Sequence, residues 1–344
     1  MKNAWAIKVL DDEVLNTSVQ LGVKDIVIYG GPGFSFIPGT DIKLNKSRAS
    51  LEDYKELVKK VSSYGLKIAA IEGGIGCYPK YRDLLLGGPK RDEIIEQLID
   101  EIRDMARAGI PIFGYHWMLN CVWRSEHVKI RGNSQARYFN LNKKNYHPMK
   151  HYPIEHEFQD SDSKITHNAL WQNLEYWIKS ITPVAEEEGI KLGIHPDDPP
   201  VESINGVPRI FSTFESYKRL IEIYPSDSNG IEFCQGTFSE MNEDIYEIIE
   251  YFAKRNKILY VHFRNVSSQL PTFTEEFINN GYVDMYKAMN IYNKFGYQGV
   301  FMDDHCPLID KDIEFPGNWG GYRSRIFAQG YIQAMIESIK KQKK

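Results

Sequence analysis

The chain has 344 residues, of which 42% are hydrophobic and 26% charged, with a formal net charge of −4 at pH 7. This is an ordinary soluble composition, enough for one large domain or two small ones, and it proposes neither a nucleic-acid nor a membrane partner. No run approaches the roughly 20 apolar residues of a bilayer span, and no basic segment followed by an apolar core opens the chain, so a cytoplasmic protein is expected. Four cysteines, Cys77, Cys121, Cys234 and Cys306, include no CxxC pair. That argues against a zinc finger or a disulfide framework and leaves room for an isolated thiolate ligand or plain buried thiols. The basic end, Lys340-Lys341-Gln342-Lys343-Lys344, reads as a solvated terminus.

Taken in order, short apolar runs alternate with amphipathic ones. Strands are expected at 4–9, 25–29, 67–72, 110–115, 191–195, 230–233, 258–262 and 299–302. Ser50-Leu51-Glu52-Asp53 resembles a capping box opening a helix after the second strand. Over 91–108, Ile94, Leu98, Ile102 and Met105 recur at helical spacing, and Gly109 is a natural stop. From 116 to 166 the chain is polar and aromatic, with Trp117, Trp123, Arg124, Arg131, Arg137, Tyr138 and Phe139, and shows no clean period. It is too long for an ordinary connection and too aromatic for disorder, so a lid-like insertion over the active-site face is expected. A long helix is expected over 168–188, a second capping box at Ser212-Thr213-Phe214-Glu215, and the last two helices at 284–295 and 325–339. Eight such units fit one (β/α)8 TIM barrel spanning 1–344. A doubly wound open sheet competes, but no GxGxxG follows an early strand.

The strand ends carry the chemistry. Lys191-Leu192-Gly193-Ile194 ends in His195-Pro196-Asp197-Asp198, Gly230-Ile231-Glu232-Phe233 in Cys234, Ile258-Leu259-Tyr260-Val261 in His262, and Gly299-Val300-Phe301-Met302 in Asp303-Asp304-His305. A lone histidine after a strand reads equally well as a hydrogen-bonded loop residue, and a lone cysteine more readily as a buried thiol. In a barrel, however, all four ends share one face. His195, Cys234, His262 and Asp304 then form a borderline-soft set suited to Mn²⁺, Fe²⁺, Zn²⁺ or Co²⁺. His305, next to Asp304 but facing the other way along an extended chain, is a candidate acid/base rather than a ligand.

Other residues join on weaker grounds. Arg264, two residues after His262, has the planar fork that holds a carboxylate, and a surface ion pair is its plain alternative. Glu72 ends the apolar third strand as a site carboxylate. Tyr322, in Gly320-Gly321-Tyr322-Arg323, is a candidate acid/base hydroxyl, although most of the 21 tyrosines must simply pack.

Several stretches, in order along the chain, resemble the mannonate dehydratase family. These are Gly88-Pro89 with Arg91-Asp92, Ile102-Arg103, Ala108-Gly109-Ile110, Trp123-Arg124, and His195-Pro196-Asp197-Asp198-Pro199-Pro200. The series continues through Gly206-Val207-Pro208-Arg209-Ile210, Asn229-Gly230, Phe233-Cys234, His262-Phe263-Arg264-Asn265-Val266, Val283-Asp284-Met285, Gly296-Tyr297 and Asp304-His305. The resemblance implies a xylose-isomerase-like barrel and one Mn²⁺ or Fe²⁺ held by His195, Cys234, His262 and Asp304. It implies His305 and Tyr322 as acid and base, and a sugar-acid substrate met by Arg264, Arg124, Glu72 and Asn265. The implied reaction is dehydration of D-mannonate to 2-keto-3-deoxy-D-gluconate, and a homo-oligomer is expected. A sugar isomerase or epimerase on the same barrel, or a silent sugar-acid-binding barrel, are the alternatives. The chain departs from the family at Trp5-Ala6-Ile7-Lys8, at His116 where Asn is usual, and between Cys306 and Asn318.

Overall fold

Eight short apolar strands close on themselves in parallel: β1 (Lys2–Ile7), β2 (Asp25–Tyr29), β3 (Lys67–Gly73), β4 (Ile112–Tyr115), β5 (Lys191–Ile194), β6 (Asn229–Cys234), β7 (Ile258–His262) and β8 (Val300–Met302). The structure, a computed structural model, describes residues 1–8, 10–30, 48–73, 75–76, 79–143, 147–148, 164–312 and 321–342. Closure comes from β1, which pairs with β2 on one side and β8 on the other. All eight predicted strands are present, so the (β/α)8 barrel stands and the open sheet does not. Parts of the predicted insertion (144–146 and 149–163), Cys77, Gly320 and the terminal Lys343-Lys344 lie outside the described residues.

Alternation along each strand sorts side chains into two layers. Ala4, Ala6, Val27, Ala70, Tyr260 and Met302 cluster in the lumen, whereas Trp5, Ile26, Ile28, Ile71 and Phe301 join the larger core shared with the helices. The predicted helical stripe, Ile94, Leu98, Ile102 and Met105 on the helix Arg91–Arg107, is buried in that outer layer. Each such side chain stabilises the fold by about 1.5–3 kcal/mol relative to exposure. Ser50 forms the predicted capping box with Asp53 at the helix Leu51–Ser63. At the later site the cap is Thr213, whose side chain accepts from the Ser216 amide, so the expected Ser212–Glu215 box is displaced by one residue.

The barrel is clasped where its ends meet. Asp303, just past β8, is fully buried and pairs with Arg325 of the C-terminal helix Tyr322–Gln342. Gln329 Nε2 donates to Asp303 Oδ1 at 2.6 Å, and Arg325 Nη2 donates to the Ala6 carbonyl at 2.7 Å. First strand, last strand and last helix are thus tied by one carboxylate.

The 116–166 stretch has strand structure that its sequence does not announce. Glu126–Lys129 and Gln135–Asn140 pair antiparallel, and the second of these pairs with Thr272–Glu276, which in turn pairs with Asn265–Val266 beyond β7. These strands are too short to show a period, and the pairing of Gln135–Asn140 with Thr272–Glu276 joins segments more than a hundred residues apart.

Candidate functional site

The C-terminal ends of β5, β6, β7 and β8 deliver donors to one point. Ligand atoms of His195, Cys234 and His262 all lie within 4.8 Å of one another, and all three residues are buried. Asp304 Oδ2 stands 3.8 Å from Cys234 Sγ and 3.7 Å from His262 Nδ1. Cys234 and His262 are register partners on adjacent strands, so the pleat alone aims both inward. His195 Nδ1 is 2.6 Å from the Pro196 carbonyl. A carbonyl only accepts, so Nδ1 carries the proton and Nε2 keeps its lone pair. Burial, reinforced by neighbouring His116, pulls the His195 pKa down to about 4, which keeps the ring neutral at pH 7.

Two nitrogens and a thiol sulfur within this radius, with a carboxylate oxygen against two of the three residues, fit a borderline-soft divalent cation. The fit is reinforced by His262, a fully enclosed ring neither of whose nitrogens makes a well-aligned hydrogen bond. Ligands about 2.1–2.3 Å from a tetrahedral cation stand roughly 3.4–3.6 Å apart, close to the separations from Asp304.

A second acidic layer lies against His262. Its Nε2 is 2.9 Å from Glu232 Oε1 and 3.2 Å from Glu72 Oε2. Glu72 Oε1 is 3.0 Å from His116 Nε2, and the His116 and His195 rings stack with centroids 4.6 Å apart. Burial opposes ionisation of Glu72, but His262 and His116 outweigh it and hold the carboxyl well below the usual range. Burial and the Glu72 charge push Glu232 up to about 7. Gly114 on β4 makes room for this layer: a Cβ there would collide with the Tyr260 hydroxyl and the Glu232 carboxylate.

Beside the cluster runs a closed chain of ion pairs. Arg264 donates from Nε to Asp304 at 2.9 Å, from Nη1 to Glu240 at 2.9 Å, and from Nη2 to Asp198 at 3.2 Å and Thr237 at 3.0 Å. Arg124, from the insertion, makes a bidentate pair with Asp198 at 2.6 and 2.9 Å, and its Nε reaches Glu275 at 2.8 Å. His305 Nδ1 is 2.8 Å from the same Glu275 oxygen, and its Nε2 is 3.7 Å from Asp304 Oδ1. Burial works against the Glu275 charge, but His305 and Arg124 hold its carboxyl well below the usual range. Gly236 lets Arg264 lie flat, since a Cβ there would strike the guanidinium.

The predicted site is therefore only partly assembled as expected. His195, Cys234, His262, Asp304 and His305 come together. Arg264 and Arg124 are present, but their donors are committed to internal carboxylates, because two guanidiniums buried this deeply need counter-charges. Glu72 faces His262 and His116 rather than open space. Asn265 is consumed by its own loop: Nδ2 donates to the Ile278 and Val283 carbonyls, and Oδ1 accepts from the Val266 and Val283 amides. Tyr322 is not brought to the cluster. Its hydroxyl donates to Thr17 on the helix Asp12–Gln20 at 2.9 Å, and its ring packs edge-on to outward-facing Trp5. The sequence reading misses Glu232, Glu240 and Glu275. Glu232 is legible in hindsight, two residues before Cys234 on the same inward face; Glu275 carries no local signal.

One family recurs among the known proteins that this chain resembles. A family model described as D-mannonate dehydratase (UxuA) matches residues 1–344. The chain is 32% identical over 307 residues to a mannonate dehydratase from Streptococcus pneumoniae (strain 70585), covering 84% of this chain and 82% of that protein. It is 33% identical to one from Streptococcus suis (strain 05ZYH33), again over 84% of this chain and 82% of the relative. The crystal structure of mannonate dehydratase from Streptococcus suis serotype2 superposes with a TM-score of 0.84 at 29% identity, covering 99% of this chain and 95% of that one. An L-ribulose 3-epimerase shares the fold alone, with a TM-score of 0.58 at 13% identity, covering 99% of this chain and 96% of that one.

Proposed function

The chain belongs to the D-mannonate dehydratase family, hydro-lyases that convert D-mannonate to 2-keto-3-deoxy-D-gluconate and water, and on that premise we propose which of its residues carry the reaction. His195, Cys234, His262 and Asp304 hold one divalent cation, Mn²⁺ or Fe²⁺. The observation that carries this reading is the convergence of three buried donors from three strand ends, with Asp304 from a fourth standing against two of them. When bound, the cation supplies Lewis-acid polarisation of substrate oxygens, which eases removal of a proton alpha to a carboxylate.

The chain's own groups do the rest. Dehydration removes the C2 proton and lets the C3 hydroxyl leave as water, and the resulting enol becomes the 2-keto acid. His305 is the proton-handling group: Glu275 receives its Nδ1–H, which leaves Nε2 to take or give a proton on the cluster side. Arg264 and Arg124 hold Asp198, Glu240, Glu275 and Asp304 in place, so those carboxylates keep fixed positions around the reacting atoms. The insertion segment that carries Arg124 and Arg137 acts as a cover that keeps water from this network.

The test is reconstitution of the protein with Mn²⁺, or anaerobically with Fe²⁺, followed by D-mannonate and assay of the keto acid by mass and colour. Product from the loaded protein, and loss of both bound metal and product in Cys234→Ser, is the expected result. Tight metal binding without product would sink mannonate as the substrate while keeping the centre.

A further inference from the structure

The two metal-site histidines are held by different partners, and the difference has a consequence for which nitrogen each one offers. His195 is fixed through Nδ1 by the Pro196 carbonyl. His262 has its Nε2 against Glu232 and Glu72 at 2.9 and 3.2 Å, while its Nδ1 faces Asp304. Building on the proposed metal centre, we infer that Glu232 and Glu72 are positioning residues that keep the proton of His262 on Nε2, so that this ring presents Nδ1 to the cation while His195 presents Nε2.

Spacing separates this from the competing arrangement, in which Glu72, Glu232 and His262 hold a cation of their own. Two ligands on one tetrahedral cation stand roughly 3.4 Å apart when each bond is about 2.1 Å. The Glu232 and Glu72 contacts, at 2.9 and 3.2 Å, are shorter and have the length of N–H···O⁻ hydrogen bonds. Asp304 Oδ2 is 3.7 Å from His262 Nδ1, longer than an N–H···O bond, and takes only a long contact of 3.8 Å from the Cys234 thiol, and both separations have the spacing of co-ligands. Nε2 stands between the two carboxylates, aligned on neither. Both are fixed from behind. Glu72 is held by His116, and Glu232 sits in the space that Gly114 leaves open. A carboxylate behind a metal-bound imidazole fixes its tautomer and orientation, and removing such a partner typically weakens metal binding 10- to 100-fold.

The experiment uses the full chain with ¹⁵N-labelled histidine, loaded with ¹¹³Cd²⁺ as a diamagnetic probe. Expected are one cadmium per chain, a ¹¹³Cd shift typical of a thiolate ligand, coupling to His262 through Nδ1 and coupling to His195 through Nε2. In Glu232→Gln and in Glu72→Gln, cadmium affinity falls roughly 10- to 100-fold, and the His262 ring shows mixed tautomers while His195 is unchanged. A merely structural role would lower the melting temperature and leave the tautomers as they are, which overturns the inference. Coupling of His262 through Nε2 in the unaltered protein, or a second cadmium lost with Glu232→Gln, also overturns it but leaves the metal centre standing. No cadmium at Cys234 overturns both. The couplings in the unaltered protein decide the matter even if a variant does not fold.

Discussion

Asp303 and Asp304 are neighbours in sequence with the same chemistry, and they belong to different parts of the molecule. Asp303 faces outward and is satisfied within the fold by Arg325, Gln329 and the Ala6 amide. Asp304 faces inward, and its cationic partner Arg264 is shared with Glu240 and Asp198, so its oxygens also stand within 4 Å of a thiol and two imidazoles. The outer carboxylate is paired to close the barrel. The inner one is left in a polar cluster that a divalent cation would complete. Position on the pleat, rather than residue type, separates architecture from chemistry here.

The largest effects are expected on the inner side. His305→Asn should lower kcat by about 10²- to 10⁴-fold, the usual contribution of a positioned acid/base group, while metal content per chain stays the same. Asp304→Asn should lose the metal. Rapid-quench or steady-state assays with metal analysis check the pair. If His305→Asn released the metal and Asp304→Asn retained it, the ligand and the proton carrier would have to be exchanged.

On the outer side, Asp303→Asn leaves Arg325 buried without its counter-charge, and breaking a buried pair in this way costs about 3–5 kcal/mol. Urea unfolding should show that loss, with metal affinity of the folded fraction unchanged. A large drop in metal affinity would mean that the clasp and the cluster are mechanically coupled through β8, and the division between the two faces would fail.

A second outer-layer carboxylate tests the same division by pH. Glu101 on the helix Arg91–Arg107 accepts from the Tyr54 hydroxyl at 2.6 Å, and burial pushes its carboxyl up from 4.5 to about 7. The folded-state pKa lies above the unfolded one, so the folded chain binds more protons in the window between them. Its contribution to stability is full below about pH 4.5 and is lost as the pH rises through about 7. Glu101→Gln should remove that slope and stabilise the protein above pH 7 by on the order of 1–3 kcal/mol. Unfolding midpoints measured from pH 5 to 8 should show no gain at the acid end.

These two layers also explain what could be read from sequence. The barrel was legible because each strand is an apolar run ending in a polar side chain, and the outer helices carry clear stripes such as Ile94, Leu98, Ile102 and Met105. The four clustered donors were legible because each stands at the end of a strand or within two residues of it. Glu275 was not, because it lies on a five-residue strand beyond β7 whose partner is the insertion strand Gln135–Asn140. Nor was the saturation of Arg264 and Arg124, since pairing with Asp198, Glu240 and Glu275 is a property of the folded contact alone. Local sequence shows which side chains reach the mouth of the barrel, and long-range pairing decides which of them are already occupied.

Tyr322 gives the smallest expected effect and the sharpest test of that distinction. Its motif context suggests an acid/base hydroxyl, but the structure places it in the outer layer, bonded to Thr17 and edge-on to Trp5. Loss of the bond to Thr17 is worth about 0.5–1.5 kcal/mol of stability, so Tyr322→Phe should cost about that much and change kcat by no more than about threefold. A general acid at the reacting carbon would instead lose on the order of 10²- to 10⁴-fold, far outside that range. A hundredfold loss in kcat with stability intact would therefore mean that the start of the C-terminal helix swings its first residue inward when substrate binds. Since that same helix carries Arg325 and Gln329, the clasp on Asp303 would have to loosen with it, and the Asp303→Asn variant should then show altered turnover as well as altered stability.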